Sequence, residues 1–306
     1  MIKKTIEISS EGAFLSTRHK QLLIQREGLG SATIPCEDIQ LLLLDAPNST
    51  VSHGALSELL DNNATMIVCG KNHLPTGMLL PLSSHNQVLT RLNLQLECKK
   101  PLQKKLWKTL VQKKILHQAR MLGNDSTEQT RLIWLAKEVR SGDPENHEAQ
   151  AASVYWRHWL PSHFNFRRDA DGDGINGLLN YGYAVFRASI ARACVMAGLL
   201  PALGIHHHNR SNAFCLADDL IEPLRPLVDF KVRKLVNMAC TQAKRELLTL
   251  LQATVKTGAQ QGPLAVHMHL FISSFVKSIQ EGSDHLEVPS WNFRDIASCG
   301  LSLIHI

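Results

Sequence analysis

A run of three histidines stands just ahead of a cluster of carboxylates. Gly204-Ile205-His206-His207-His208 is followed by Asp218-Asp219-Leu220-Ile221-Glu222-Pro223-Leu224-Arg225-Pro226. Well upstream, Glu148 opens the segment Glu148-Ala149-Gln150-Ala151-Ala152-Ser153-Val154-Tyr155-Trp156. One glutamate, one histidine and a second glutamate from these three segments make a donor set for a hard divalent cation. Carboxylate oxygens suit Mg²⁺ and Mn²⁺, and an imidazole favours Mn²⁺ over Ca²⁺. Beside a phosphodiester, such a cation polarises phosphoryl oxygens and orients an attacking hydroxyl.

The members of each segment have competing readings. Side chains of adjacent residues diverge, so His206, His207 and His208 cannot all reach one metal, and one of them as a ligand is the reading kept. Glu148 lies on a helical stripe with Ala152, Tyr155 and Trp159. A glutamate on a buried stripe needs a cation or a hydrogen-bond partner. Its plain alternative is an exposed carboxylate at a helix N-terminus. Asp218 and Asp219 both share a helix face with Glu222, and one of the two suits an N-cap. Arg225, three residues past Glu222, is placed to pair with it or to meet a phosphate. A further acidic run, Asp169-Ala170-Asp171-Gly172-Asp173-Gly174-Ile175, matches the start of an EF-hand loop. Its twelfth position is Asn180, without the bidentate glutamate, so it reads as a polar loop ahead of a helix.

These residues need a folded frame. The chain has 306 residues, of which 44% are hydrophobic and 20% charged, which excludes a disordered polymer. Its net charge is +6 and its pI about 9.0, which suits a polyanionic partner without requiring one. The seven cysteines are odd in number, scattered and without a CxxC pair, so a disulfide scaffold is not expected. Met1-Ile2-Lys3-Lys4-Thr5-Ile6-Glu7 lacks a signal-peptide core, and the apolar stretch 198–205 is too short to span a bilayer. A soluble, cytoplasmic protein is expected.

Hydrophobic periodicity divides the chain. Up to residue 86, short apolar runs alternate with Gly, Asn, Ser and Pro turns, and Ser52 caps one helix. From Gln87 the period becomes helical: Val88, Leu92, Leu96, Leu102, Leu106, Leu110 and Leu116 recur on a stripe. Further helices are expected over 127–140, 146–159, 176–199, 229–257 and 262–279. The fold class is therefore α+β, with a small β-rich N-terminal domain (1–86), a larger all-α domain (87–280) and a loosely held tail (281–306). Lys99, Lys100, Lys104, Lys105, Lys108, Lys113 and Lys114 crowd one helical region, either as a solvated face or as phosphate contacts. Lys231, Arg233, Lys234, Lys244 and Arg245 form a second cluster after the acidic motif, expected to guide a polyanion.

Four motifs together resemble a known family. Glu148 to Trp156, Asn176 to Tyr183, Leu203-Gly204-Ile205-His206-His207 and Asp219 to Pro226 are similar, in order and spacing, to the CRISPR-associated integrase of the spacer-acquisition module. The versions from type II systems are the most alike. The resemblance implies a β-rich dimerisation domain and an all-α catalytic domain. It implies a metal site of Glu148, His207 and Glu222, with Mg²⁺ or Mn²⁺ bound. His207 is chosen because the family motif reads Gly, two residues, His; here histidine also stands on both sides. Asp219 is implied to be structural. The implied reaction is attack by the 3′-hydroxyl of a short captured DNA on a phosphodiester of a CRISPR repeat array. The implied partners are double-stranded DNA, a second copy of the chain and a small ferredoxin-like protein. A non-catalytic nucleic-acid scaffold is the alternative from another class, and a calcium-regulated binding protein a third.

Overall fold

The computed structural model describes residues 3–9, 12–26, 30–82, 85–123, 126–293, 296 and 304–305. Strands β1 (Lys4–Ile8), β2 (Phe14–Arg18), β3 (Gln21–Arg26), β4 (Gly30–Pro35), β5 (Ile39–Leu44) and β6 (Thr50–Val51) precede α1 (His53–Asp61), and β7 (Thr65–Cys69) and β8 (Pro75–Leu79) follow it. Helices α2 (Val88–Leu96), α3 (Lys100–Met121), α4 (Thr127–Glu138), α5 (His147–His158), α6 (Ile175–Met196), α7 (Cys215–Ile221), α8 (Arg225–Leu235) and α9 (Cys240–Leu248) come next. The hairpin β9 (Thr254–Thr257) and β10 (Gln260–Pro263) leads into α10 (Leu264–Glu281), and β11 (Ile304–His305) closes the chain. A strand-rich region followed by a helical one is what the periodicity led us to expect.

Among the described residues the strands form three sheets, one of them the β9–β10 hairpin. Of the other two, one runs β4-β3-β2-β6 and the second β11-β1-β5-β7-β8, the latter parallel except at β8. The second sheet is a partition between two cores. In β5, Leu42 faces a β-rich core with Leu15, Leu22, Ile24, Ala55 and Leu59. Its neighbours Leu41 and Leu43 face the helical core. Successive strand side chains point to opposite faces, so a strand buried on both sides must be apolar throughout. That explains the unbroken Leu41-Leu42-Leu43-Leu44.

Several elements depart from expectation. The stretch 229–257 is not one helix: α8 ends at Leu235, α9 runs from Cys240 to Leu248, and β9 begins at Thr254. Thr254-Val255-Lys256-Thr257 is rich in β-branched residues, and Gly258, at φ +58°, supplies the left-handed turn into β10. The second region is therefore not wholly α. The stripe of α2 also faces outward, since Val88 and Leu96 are exposed while Gln95 is buried. Gln95 makes two hydrogen bonds to the Leu200 backbone, at 3.1 and 2.8 Å, which a buried amide requires. The segment after Glu281 is held where it is described. Trp291 is buried against His117, Ser290 bridges Lys256, and Ile304 pairs with Ile6. Cys299 lies outside the described residues; the six other cysteines are free. Among the described residues, no helix is long and apolar enough to cross a membrane.

Candidate metal centre

Helix α3 runs through the helical core, with Leu106, Trp107, Leu110, Val111 and Ile115 buried. Lys100, Trp107 and Lys114 are seven residues apart, about two turns, so they share one stripe. At its inner end Lys114 Nζ lies 2.5 Å from Glu148 Oε1 and 2.5 Å from Glu222 Oε2. Two glutamates from distant segments thus share one ammonium. Burial would lower the Lys114 pKa, but the pull of Glu222 and Glu148 outweighs it and holds the amine above its ordinary range.

Each carboxylate is fixed by its local sequence. Glu148 sits in the first turn of α5. Asp143 accepts the backbone N–H of His147 and of Glu148, each at 2.9 Å, and Asn146 caps Ala149. Glu222 stands where α7 passes into the short 3₁₀ turn Glu222–Leu224. Pro223 and Pro226 withhold backbone donors there and break the regular ladder. His117 on α3 donates from Nδ1 to the Pro223 carbonyl at 2.7 Å, tying this turn to the helix that carries Lys114. Arg225 Nε lies 2.9 Å from Glu222 Oε1. Burial would raise the Glu222 carboxyl, but Arg225 and Lys114 together hold it below the usual carboxylate range.

The histidine turn is organised by Asp219, which is fully buried on α7. Its Oδ2 accepts the N–H of Ile205 at 2.7 Å and of His206 at 3.0 Å. Its Oδ1 accepts the N–H of His207 at 3.2 Å and lies 2.6 Å from His207 Nδ1. Gly204 permits this wrap: a Cβ there would meet the His207 carbonyl at 2.4 Å and Asp219 Oδ2 at 2.9 Å. The three histidines are divided among three partners. His206 stacks on Trp107, His207 takes Asp219, and His208 lies 3.4 Å from Lys100.

With Nδ1 bound to Asp219, the tautomer left to His207 puts its lone pair on Nε2. The charges of Glu222 and Glu148 are both felt at this ring. The donor set is two carboxylates and one imidazole, which suits a divalent cation of the Mg²⁺ or Mn²⁺ kind. Glu222 Oε2 is buried, with the ammonium as ion-pair partner and no directed hydrogen bond. Among the described residues, no three His, Cys, Asp or Glu side chains stand close enough together to hold a metal ion as they are placed. The ammonium is the cation the two glutamates share, so a metal here would replace it.

The Asp219 hydrogen bond raises the His207 pKa above its ordinary 6.5; burial opposes this, and the Asp219, Glu222 and Glu148 charges add to it. A proton on Nε2 excludes a metal. Mn²⁺ affinity is therefore expected to fall as pH drops through that raised value, about tenfold per pH unit below it. Calorimetric titration across pH 5.5 to 8.5 checks this, and a flat affinity contradicts it. For the metal-free protein the same sign means that the His207–Asp219 contribution is complete below about 6.5 and is lost as pH rises through the folded value.

Comparison with known proteins now decides the family. The model of the family "CRISPR associated protein Cas1" matches residues 6–246. The chain is 38% identical over 288 residues to the CRISPR-associated endonuclease Cas1 of Neisseria meningitidis serogroup C, covering 91% of this chain and 93% of that protein. The chain belongs to the Cas1 family. Membership in a family whose relatives carry the name endonuclease makes it an enzyme of that class, as its motifs led us to expect. Among solved structures, a casposase bound to its integration product superposes with a TM-score of 0.79 at 18% identity, covering 96% of this chain and 99% of that one. A Cas6-RT-Cas1–Cas2 complex gives 0.76 at 15% identity, over 94% of this chain and 36% of that chain. Both likenesses concern the fold.

Two features of this Cas1-family chain escaped the sequence reading. The first is Lys114, counted there as one of a surface run. The second lies behind the centre. Asp229 on α8 is buried and accepts hydrogen bonds from Tyr155 (2.9 Å) and Tyr183, and the Arg225 guanidinium lies 4.7 Å from the Tyr183 ring centroid. Gly182 lets α8 come this close, because a Cβ there would meet Val228 Cγ1 at 2.4 Å. Burial pushes the Asp229 carboxyl up to about 7, against the two tyrosine hydrogen bonds and the Arg225 and Lys114 charges. A raised carboxyl means the folded state keeps a proton that the unfolded chain releases near 4. Stability should fall between about pH 4 and 7, by on the order of a few kcal/mol. Asp229→Asn is expected to shrink the loss of Tm between pH 5 and pH 8; an equal loss in both proteins contradicts this.

Four members of the second basic cluster are engaged within the fold, and the fifth, Lys234, is exposed with its ammonium 5.7 Å from the Phe230 ring centroid. Lys231 pairs with Glu246 at 2.7 Å, Arg233 bonds the Met121 carbonyl, Lys244 is buried on the His73 carbonyl, and Arg245 reaches Glu7 and Ser9. Those charges are engaged in holding the fold. Arg168 bonds Asn176 and Asn180 of α6 beside the loop at 169–174, and within the loop Asp169 accepts the Asp171 N–H. The loop is polar, as read, but Gly174 occupies the α6 N-cap without a side-chain cap.

Proposed function

We propose that this chain is a metal-dependent DNA integrase and endonuclease that inserts short captured DNA into a CRISPR repeat array. The observation that carries this reading is the convergence of Glu148 and Glu222 on one cation, beside an imidazole fixed by Asp219. Glu148, His207 and Glu222 would hold Mg²⁺ or Mn²⁺. When bound, the ion polarises a phosphoryl oxygen and lowers the barrier to attack by a hydroxyl. The chain's own groups set the stage for it. Asp219 keeps the His207 proton on Nδ1. Arg225 neutralises the Glu222 oxygen opposite the one that Lys114 meets. The exposed lysines at the start of α3, Lys100, Lys104 and Lys105, offer phosphate contacts on the approach. In the reaction the 3′-oxygen of the captured strand bonds to phosphorus, the bridging P–O bond of the array breaks, and a 3′-hydroxyl leaves. The attacking hydroxyl's proton passes to solvent.

We further assign residues 1–86 to dimerisation and 87–280 to catalysis, with 281–306 as a C-terminal tail. The working assembly is a homodimer joined by a small ferredoxin-like CRISPR-associated protein on double-stranded DNA. A solved complex of a Cas1-bearing chain with Cas2 supports a Cas protein partner. The test is insertion of a labelled short duplex into a repeat-bearing plasmid, with Mg²⁺ or Mn²⁺, with and without the small partner. Metal-dependent joined product is expected. DNA binding with no joining under either metal would leave a non-catalytic scaffold.

A further inference from the structure

One face of an exposed ring beside the centre has no established use. His206 lies flat on Trp107, with centroids 3.9 Å apart and planes within 2°. Trp107 is 1% exposed, whereas His206 is exposed. Since Trp107 covers one face of the imidazole, the open area is its other face and edge. His207 stands perpendicular beside it, with centroids 5.1 Å apart. The backbone of His206 is pinned by Asp219, so the plate is held at a fixed position relative to the proposed ligand. It also lies on the α3 stripe between Lys100, beside His208, and Lys114, between the glutamates.

We propose that the outer face of His206 is a stacking platform for an unpaired nucleobase of the DNA strand at the Glu148–His207–Glu222 centre. This rests on the DNA-joining reading above. A planar ring backed by a buried indole offers a nucleobase what another base would, and stacking accepts any base because every base has a π-face. Bases inside a duplex are already stacked, so the platform selects a terminal or overhanging one. A base is joined to its own phosphate through a single sugar, so the ring next to His207 is the one such a base reaches. His206 is thus a positioning residue, while its neighbour serves the metal.

The test compares the wild type with His206→Ala and His206→Phe in the full chain, in Ca²⁺ so that binding is read without joining. The probe is a short duplex with a single-stranded 3′ overhang ending in 2-aminopurine; a blunt duplex is the control. Wild type and His206→Phe should quench the fluorophore. His206→Ala should lose the quench and bind the overhang roughly five- to a hundredfold more weakly, as loss of one base–aromatic stack does. Its blunt-duplex affinity should change less than twofold, and its Mn²⁺ affinity should be kept. Undiminished quenching in His206→Ala, equal weakening on both duplexes, or failure of His206→Phe to restore the quench would overturn the platform. These binding results stand apart from the plasmid assay: lost metal-dependent joining with intact quenching sinks the enzymatic reading alone. A wild type that binds neither duplex sinks both.

Discussion

Glu148→Gln and Glu222→Gln are each expected to lower Mn²⁺-dependent strand joining by about a hundredfold or more while keeping DNA affinity within a few-fold. Gln preserves side-chain volume but supplies a neutral amide in place of a carboxylate. Groups that merely orient metal ligands already cost about 10- to 100-fold when removed, so a ligand itself should cost at least that. The two variants should differ in stability. Glu148→Gln leaves Lys114 its Glu222 partner, with Arg225 on the far oxygen. Glu222→Gln leaves a half-buried Arg225 without its carboxylate and should be the weaker fold. Joined product on a denaturing gel and fluorescence anisotropy with Ca²⁺ separate chemistry from binding. Near-normal joining by either variant would refute the enzymatic role given to these glutamates.

Lys114→Met should uncouple folding from the ammonium and hand that task to the metal. Without metal, the change sets two carboxylates facing one spot with only Arg225 to offset them. Breaking a largely buried ion pair by removing one partner costs about 3–5 kcal/mol. The variant should therefore unfold earlier than wild type in EDTA. A ligand that binds only the folded state raises stability as its concentration exceeds Kd. Mn²⁺ no longer has to displace an ammonium, so the gain in Tm with millimolar Mn²⁺ should be larger in Lys114→Met than in wild type. Thermal denaturation of both proteins in EDTA and in Mn²⁺ measures the difference. An equal gain would place the metal somewhere other than the position Lys114 takes.

Much of the centre was legible because its residues break local rules. A glutamate on the stripe of Ala152, Tyr155 and Trp159 asks for a cation, and three adjacent histidines cannot share one ligand role. Lys114 was missed because lysine in a lysine-rich stretch reads as solvated. The available signal was its spacing of seven from Trp107, the first buried aromatic of α3. The mistaken helix over 229–257 has a similar cause. Apolar residues recur through α8 and α9, and the β-branched run at Thr254 with Gly258 behind it carries little weight until the hairpin is seen. For the basic cluster after the acidic motif, charge pattern alone does not tell a free cation such as the exposed Lys234 from one bonded to Glu246 or a backbone carbonyl. Asp229 gave no sign of itself, since a lone aspartate on an amphipathic helix looks like its solvent face.

Crystals grown with Mn²⁺ and measured at the manganese absorption edge give the most direct test. An anomalous peak touching a Glu148 oxygen, a Glu222 oxygen and His207 Nε2, with Lys114 Nζ displaced from between the carboxylates, is the expected map. A peak on other residues, or none in crystals of protein whose joining depends on that metal, would contradict a centre built from these three side chains.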